Sequence, residues 1–192
     1  MIILLPLILL AGYAILIYNR LVTLKTRIAA SIQEIGNQLK RQADLIPGLI
    51  ESVKGYMTHE KTIFEQLFAA RKMANEAVAS NQIDKIDQAS NELQKVFGQL
   101  KILVENTPEL KAVEVVNQLM EELRDTADKL MYARRTLIDL TADYNTNVVT
   151  FPSNAIAKLF KFSPEKGLSM PENVSVTSVS DEDTKTPEVK LD

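Results

Sequence analysis

The sequence has no cysteine or tryptophan and is poor in glycine, proline and aromatic residues. Its 192 residues include six Gly, seven Pro, five Tyr and six Phe. The absence of cysteine excludes disulfide frameworks, thiolate metal sites and cysteine nucleophiles. Leu, Ile, Ala, Gln, Glu and Lys are abundant instead, and this mixture favours helix over sheet. We therefore expect an all-α protein.

The charge is unevenly distributed along the chain. The net charge is −3, and residues 163–192 hold seven acidic and three basic residues, which leaves +1 for the rest. Neither part has the basic surface of a nucleic-acid-binding protein, so no nucleic-acid partner is expected. Residues 163–192 are rich in Pro, Ser, Thr and acidic residues. They have too few apolar side chains for burial to offset the conformational entropy that is lost when a segment becomes ordered. We predict that they form a disordered acidic tail.

The first eighteen residues form an uncharged and almost wholly apolar run. As a helix, residues 2–18 would be about 26 Å long, which is at the lower limit for a hydrocarbon core of roughly 30 Å. A cleaved signal peptide is one alternative, because Gly12 and Ala14 supply the small residues at positions −3 and −1 of a candidate cut after Ala14, but no basic residue precedes the run. A buried core helix is the other. We favour an uncleaved transmembrane anchor over residues 1–18.

Basic residues follow this run but do not precede it. Arg20, Lys25 and Arg27 come soon after Tyr18. The positive-inside rule therefore predicts an amino terminus outside the cell and a body in the cytoplasm, on a single-pass protein of the inner membrane.

Apolar residues beyond this anchor recur every three or four positions, which is typical of amphipathic helices. The stretches cover residues 21–46, 49–77, 83–104 and 110–148. Pro47 is expected to end the first helix, with Asp44 as a candidate cap, although a kink is the alternative. Thr107 and Pro108 predict the start of the fourth helix, as cap and first residue. Ser153 can start a short last helix.

Four helices with short links predict an antiparallel four-helix bundle over residues 19–162. In that topology the fourth helix returns to the membrane, and the short last helix lies near the lipid surface. The predicted membrane-proximal interaction residues are Tyr18, Asn19, Arg20, Tyr144, Asn145, Phe151, Ile156, Leu159 and Phe160. The alternatives are that Tyr18 is only an interfacial aromatic residue, that Tyr144 is a residue at the core edge, and that the last helix merely caps the bundle.

No cluster of residues indicates a reaction or a cofactor. His59 is the only histidine, and Ile63 stands where a zinc helix would place its second ligand. No glycine pattern forms a phosphate loop. The basic pairs at 40–41, 71–72 and 134–135 could bind anionic lipid or an acidic partner, but ordinary exposed helix charge is the simpler interpretation. We expect neither an enzyme nor a bound metal or cofactor.

Eight local strings occur along the chain in a characteristic order: YNRLV at 18–22, LKRQADLIP at 39–47, GYMTHE at 55–60, AAR at 69–71, PELKA at 108–112, RR at 134–135, DYNT at 143–146 and FPSN at 151–154. In these strings the sequence resembles the LemA family of bacterial membrane-anchored helical proteins. The chain departs from the family's usual residues at Gln42, Gly48 and Leu137-Ile138. The resemblance implies a four-helix bundle on one amino-terminal span, without established enzymatic activity. One branch of the family acts in forming magnetosome membranes, which suggests a membrane-organising role by analogy.

The favoured hypothesis is a membrane-anchored helical scaffold that self-associates and organises or remodels the membrane. Anchored amphipathic helices reach a high local concentration in the membrane plane, which favours homo-oligomers and coiled-coil contacts. The alternative is an adaptor or regulatory subunit for a membrane protease or signalling system, docking through its helices or its acidic tail. The expected partners are the lipid bilayer, further copies of the chain and a membrane protein.

Overall fold

The computed structural model describes residues 4–56 and 61–168, and these residues are helical, with no strand among them. The helices are α1 (Leu4–Val53), α2 (Lys61–Ser80), α3 (Ile83–Asn106), α4 (Pro108–Lys111), α5 (Glu114–Val149) and α6 (Ser153–Leu159). The predicted all-α class is confirmed. Residues 163–168 follow α6 as an irregular segment.

Helix α1 runs without a break through Pro47, so the predicted helix end at this proline is wrong. Its 50 residues correspond to about 75 Å of helix. The proline ring faces solvent, while Ala43, Ile46, Leu49 and Val53 are fully buried at helical spacing. Burying each large side chain contributes about 1.5–3 kcal/mol, which together outweighs the roughly 3 kcal/mol cost of an interior proline. The candidate cap Asp44 is therefore an exposed residue inside a helix.

Helices α2 and α3 form an antiparallel pair that packs against α1, and α5 runs back along α1. Two contacts show the direction of α5: Arg41 pairs with Glu122, and Leu119 approaches Gly48. Helices α1 and α5 are therefore antiparallel. The end of α5 and helix α6 therefore lie beside the first half of α1. We call the part of the molecule built from residue 17 onwards the helical body.

The apolar stripes form two adjoining hydrophobic clusters. The lower cluster runs from Ile17 to Ile46 of α1 and includes residues of α2, α3, α5 and Ala157 of α6. The upper cluster joins Leu49 and Val53 of α1 to the beginning of α2, the end of α3, Leu110 of α4 and the beginning of α5. Leu49 and Val53 were predicted on a second helix. The spacing identified them correctly as core residues, but they belong to α1.

The predicted fourth helix is interrupted near its start. A short helix, α4, ends at Lys111, and α5 begins at Glu114 after an extended residue, Val113. Leu110 and Val116 lie on either side of the break, and both are buried in the upper cluster. Pro108 occupies the predicted first helical position, but Thr107 is not a side-chain cap, because its hydroxyl donates to the carbonyl of Leu103 at 2.9 Å.

Candidate membrane-facing base of the helical body

The first turns of α1 have no packing partner in the body. Seven large apolar side chains between residues 5 and 16 are 45–71% exposed, and Ile17 is the first buried one. Residues 4–16 therefore protrude by about 20 Å as a bare apolar helix. Within the described residues, one helix is long and apolar enough to cross a membrane by length and composition, and only 17% of its most apolar window is buried. Such low burial is unlike that of a core helix.

Helix α6 packs against α1 at the point where this bare end emerges. The ring of Tyr18 lies 4.8 Å from that of Phe160 and 5.7 Å from that of Phe162, measured between centroids. Ala157 is buried in the lower cluster, and Ile156 packs against it. Aromatic pairs at these separations add to the stability gained from burial. The contact fixes α6 beside α1 at the end of the body.

Exposed apolar side chains surround this point. Phe151 is 86% exposed and Leu159 71%, and Val149 and Phe160 are exposed as well. We call this surface, formed by Tyr18, Arg20, Val149, Phe151 and residues 158–161, the base. The predicted apolar face of the last helix is divided, because Ile156 packs inward while Leu159 and Phe160 face outward. Asn19 and Arg20 are exposed on α1.

The predicted pair Tyr144 and Asn145 does not face outward. Tyr144 is fully buried, and its hydroxyl donates to the carbonyl of Ser163 at 3.1 Å. The amide of Asn145 donates to the carbonyl of Glu165 and accepts from its backbone N–H. Both residues therefore hold the segment that follows α6. Tyr18 contacts Phe160 and Phe162, which come just before this segment. The two Tyr-Asn pairs therefore do not form one site.

This segment, residues 163–168, lies along the body, and we call it the strap. Glu165 pairs with Lys25 of α1 at 2.8 Å, and Lys166 pairs with Asp84 of α3 at 2.7 Å. Leu168 packs against the lower cluster. The strap thus ties three helices together, although the composition of residues 163–192 predicted that these six residues belong to a disordered tail. The remaining residues of the predicted tail, 169–192, lie outside the described residues.

The strap also shapes the electrostatics of its surroundings. Burial raises the pKa of the Tyr144 phenol, an effect that nearby Lys25 opposes and Glu165 reinforces. The hydrogen bond from Lys25 to Glu165 raises the pKa of the Lys25 ammonium group. Lys25 therefore remains charged throughout the neutral pH range.

The basic residues of the base, like several others on the body, have no acidic partner among the described residues. The basic pairs that might have bound lipid are partly occupied: Arg41 pairs with Glu122, Lys72 with Glu76, and Arg134 with Asp87. By contrast, none of the acidic residues in segments 4–56 and 61–168 is within ion-pair distance of Arg20, Lys158 or Lys161. All three are exposed.

No candidate metal site is found in the part of the chain that the structure describes. No group of three His, Cys, Asp or Glu side chains there is arranged to hold a metal ion. His59, the residue weighed as a metal ligand from the sequence, lies outside the described residues.

A groove between α3 and α5 is a second candidate region, and no pattern in the sequence predicts it. Its volume is about 630 Å³, and its apolar lining includes Phe97, Val104, Met120 and Leu123. The two helices are bridged lower down, where Arg134 contacts Asp87 and Asn91. Towards the end of α3 and the beginning of α5, the space between the two helices is open and forms the groove. The exposed positions along this groove look like ordinary surface in the sequence, because periodicity does not show where two neighbouring helices stand apart.

Comparison with known proteins supports the family resemblance. The model of the LemA family matches residues 31–181, which include most of the helical body. A comparison with curated proteins found no match.

Proposed function

We propose that this chain, which belongs to the LemA family, is a single-pass membrane protein whose cytoplasmic helical body self-associates as a scaffold. The observation that carries the proposal is the continuity of α1. One helix begins as a bare apolar rod and becomes the central helix of the core without a break. Hydrocarbon is the environment in which seven exposed large apolar side chains on one helix are stable.

The same continuity favours an uncleaved anchor over a signal peptide. A cut after Ala14 would fall inside α1, only three residues before Ile17 enters the core. Arg20 and Lys25 follow the apolar run, so the positive-inside rule places the body in the cytoplasm. In this arrangement the base lies at the lipid surface, with Tyr18, Phe151 and Leu159 facing it.

In this proposal α1, α2, α3 and α5 form an antiparallel four-helix bundle with one open seam, the groove between α3 and α5. The occupant of the groove is a second copy of the chain. Phe68 on α2 is 52% exposed. It lies at the height of the groove, because its neighbour Gln66 is beside Gln99 of α3, and Gly98 lines the groove. Anchored copies share one orientation and one height above the bilayer.

Phe68 of one copy therefore meets the groove of the next. Such a contact uses different surfaces on the two copies, so it repeats into rings or rows rather than closing as a pair. Rings or rows of anchored bodies form a scaffold on the membrane. Aromatic and methionine side chains, such as Phe68 and Met120, are typical of the buried centre of protein interfaces.

The anchor is tested by the intact mass of the full chain purified from membranes and by its extraction. The proposal expects residues 1–14 to be retained and the protein to resist alkaline carbonate. Because the chain has no cysteine, a single Gln33→Cys variant reports the side of the membrane. In intact cells this cysteine should be protected from a membrane-impermeant maleimide, and it should react after permeabilisation. A shortened mass or reaction in intact cells contradicts the proposal.

Self-association is tested by oxidative cross-linking of Glu65→Cys with Gly98→Cys in membranes. Glu65 lies one turn from Phe68, and Gly98 has open space around its Cα for a new side chain. The double variant should form a ladder of cross-linked chains, and adding Phe68→Asp should abolish it. The matched control pairs Glu65→Cys with Asp139→Cys, more than three turns below the groove on α5. Equal cross-linking of the two pairs would refute the groove contact.

The adaptor hypothesis is the second candidate, and the distribution of charge favours it. Residues 169–192 hold six acidic and two basic residues, and they follow directly from the strap. Truncation after Leu168 leaves the strap contacts in place. If this truncation removes a co-purifying membrane protein while the cross-linked ladder persists, the adaptor hypothesis is supported. If it removes neither, docking does not depend on residues 169–192.

A further inference from the structure

We infer that the base binds the headgroups of anionic phospholipids in the bilayer, through Arg20, Lys158 and Lys161. This inference rests on the proposed membrane anchor, because only an anchored α1 places the base against lipid. It adds a second membrane contact, with a preference for one lipid class, to the transmembrane segment itself.

The charge of the base is segregated from the rest of the protein. Residues 1–33 and 144–164, which supply the base, contain five basic residues and no Asp or Glu. Two of the five lie just above it, and one of these, Lys25, is paired with Glu165 of the strap. Arg20, Lys158 and Lys161 belong to the base and are exposed. A positive surface on a chain of net charge −3 matches the negative potential of an anionic leaflet.

The apolar part of the base agrees with the same partner. The anchor, as predicted from sequence, falls about 4 Å short of a typical hydrocarbon core. Phe151, Leu159 and Phe160 lie around α1 where it leaves the body. When these side chains enter the lipid interface, the apolar part of the protein in the membrane is lengthened by about that distance. Basic residues beside exposed apolar ones are the pattern of interfacial helices, where the side-chain stems lie in the boundary and the charges reach phosphate.

The end of α6 holds Lys161 in an unusual conformation. Lys161 has a φ of 57°, in the left-handed region. The backbone N–H of Phe162 donates to the carbonyl of Ala157 at 2.8 Å, and that of Lys161 donates to the carbonyl of Lys158. This is the Schellman arrangement, whose left-handed position is usually glycine because a side chain is strained there. A lysine at this position is unfavourable for the fold, but it places a cation at the outer edge of the base.

The experiment uses the full chain with Leu159→Cys labelled by an environment-sensitive fluorophore, reconstituted in phosphatidylcholine vesicles. Replacing part of the phosphatidylcholine with phosphatidylglycerol should move the label into the interface, with a blue shift that added salt reverses. Each lost charge should lower the equilibrium constant of this contact about fivefold. Inorganic phosphate should compete no better than chloride at equal ionic strength. Stronger competition would assign the site to free phosphate and overturn the inference.

Variants of Lys161 separate lipid binding from stability. Lys161→Gly relieves the left-handed strain, so its melting temperature should equal or exceed that of the wild type, while its response to phosphatidylglycerol falls. Lys161→Gln should lose the response to the same extent, and Lys161→Arg should keep it. A full response from Lys161→Gly would overturn the inference.

A second label distinguishes this inference from the proposed anchor. With Leu10→Cys labelled instead, quenchers on the acyl chains should quench the fluorescence in every lipid mixture. If they do not, the anchor itself is refuted. If Leu10 is quenched but the label at position 159 ignores phosphatidylglycerol, the anchor stands and only the headgroup contact is refuted.

Discussion

Asn145 and Glu165 are joined by two hydrogen bonds, which pair the side-chain amide of one with the backbone of the other. The Asn145 Nδ2 donates to the Glu165 carbonyl at 2.9 Å, and the Glu165 backbone N–H donates to Asn145 Oδ1 at 2.8 Å. The amide thus satisfies a donor and an acceptor of an irregular segment that has no helical partner for them. Because the Glu165 side chain also pairs with Lys25, this one residue joins α5, the strap and α1.

Asn145→Ala should destabilise the body. It removes both hydrogen bonds to Glu165, each with a net value of about 0.5–1.5 kcal/mol, so we expect a loss of about 1–3 kcal/mol in the free energy of unfolding. The measurement is thermal or denaturant unfolding of the detergent-solubilised full chain, followed by helical circular dichroism. Asn147→Ala is the matched control, because the Asn147 amide donates only within its own helix, to Asp143. Equal losses from both variants would contradict the role of the Asn145–Glu165 pair.

Truncation should reveal where the body ends. A chain that stops after Leu168 keeps every described strap contact and should unfold at the wild-type temperature. A chain that stops after Phe162 loses the partners of Tyr144 and Asn145 and the apolar cover supplied by Leu168. We expect it to melt at a lower temperature than Asn145→Ala and to be cut faster by protease near Tyr144. Identical stability of the two truncated chains would show that the strap does not stabilise the body.

The spacing of apolar residues predicted most of the helices. Stripes with steps of three and four identified the core, because burial is what selects those positions. Pro108 located one helix start correctly. Asn81, which lies between the second and third predicted stretches, adopts a φ of 49°, the left-handed conformation that Asn tolerates at a helix end. Of the nine residues predicted to be membrane-proximal, Tyr18, Asn19, Arg20, Phe151, Leu159 and Phe160 are exposed on the surface of the protein.

What the sequence could not predict depended on tertiary contacts. Pro47 carries a strong local signal for a helix end, but the buried stripe on either side of it outweighs that signal. The strap is held by hydrogen bonds from side chains to backbone and by ion pairs, which leave no periodic pattern. For that reason Tyr144 and Asn145 were predicted to face the membrane, although they bind the strap. The groove is a gap left along part of the α3–α5 interface, and no local signal in the sequence marks such a gap.

Gln42→Leu should stabilise the protein. Gln42 is fully buried in the body, and among the described residues neither its amide nitrogen nor its amide oxygen has a hydrogen-bond partner. A buried amide without partners costs about 1–3 kcal/mol, and leucine fills a similar volume without polar atoms. We therefore expect a gain of that order in the free energy of unfolding. Gln33→Leu, at an exposed position of the same helix, should change stability by less than about 0.5 kcal/mol. A loss from Gln42→Leu would show that the amide makes hydrogen bonds in solution that offset its burial.

The buried phenol of Tyr144 should make the body sensitive to alkali. Burial raises the pKa of this phenol above its ordinary value of 10.0, so the folded chain keeps a proton that the unfolded chain releases. The resulting stability is fully present below pH 10 and decreases as the pH rises from there through the raised pKa. The ionisation itself is visible as the difference in phenolate absorbance between the wild type and Tyr144→Phe, and it should occur above pH 10. The stability of Tyr144→Phe, which lacks the hydroxyl bonded to Ser163, should be lower at neutral pH but should fall less between pH 10 and the raised pKa. If the two chains lose stability in parallel over that range, alkaline unfolding starts elsewhere in the molecule.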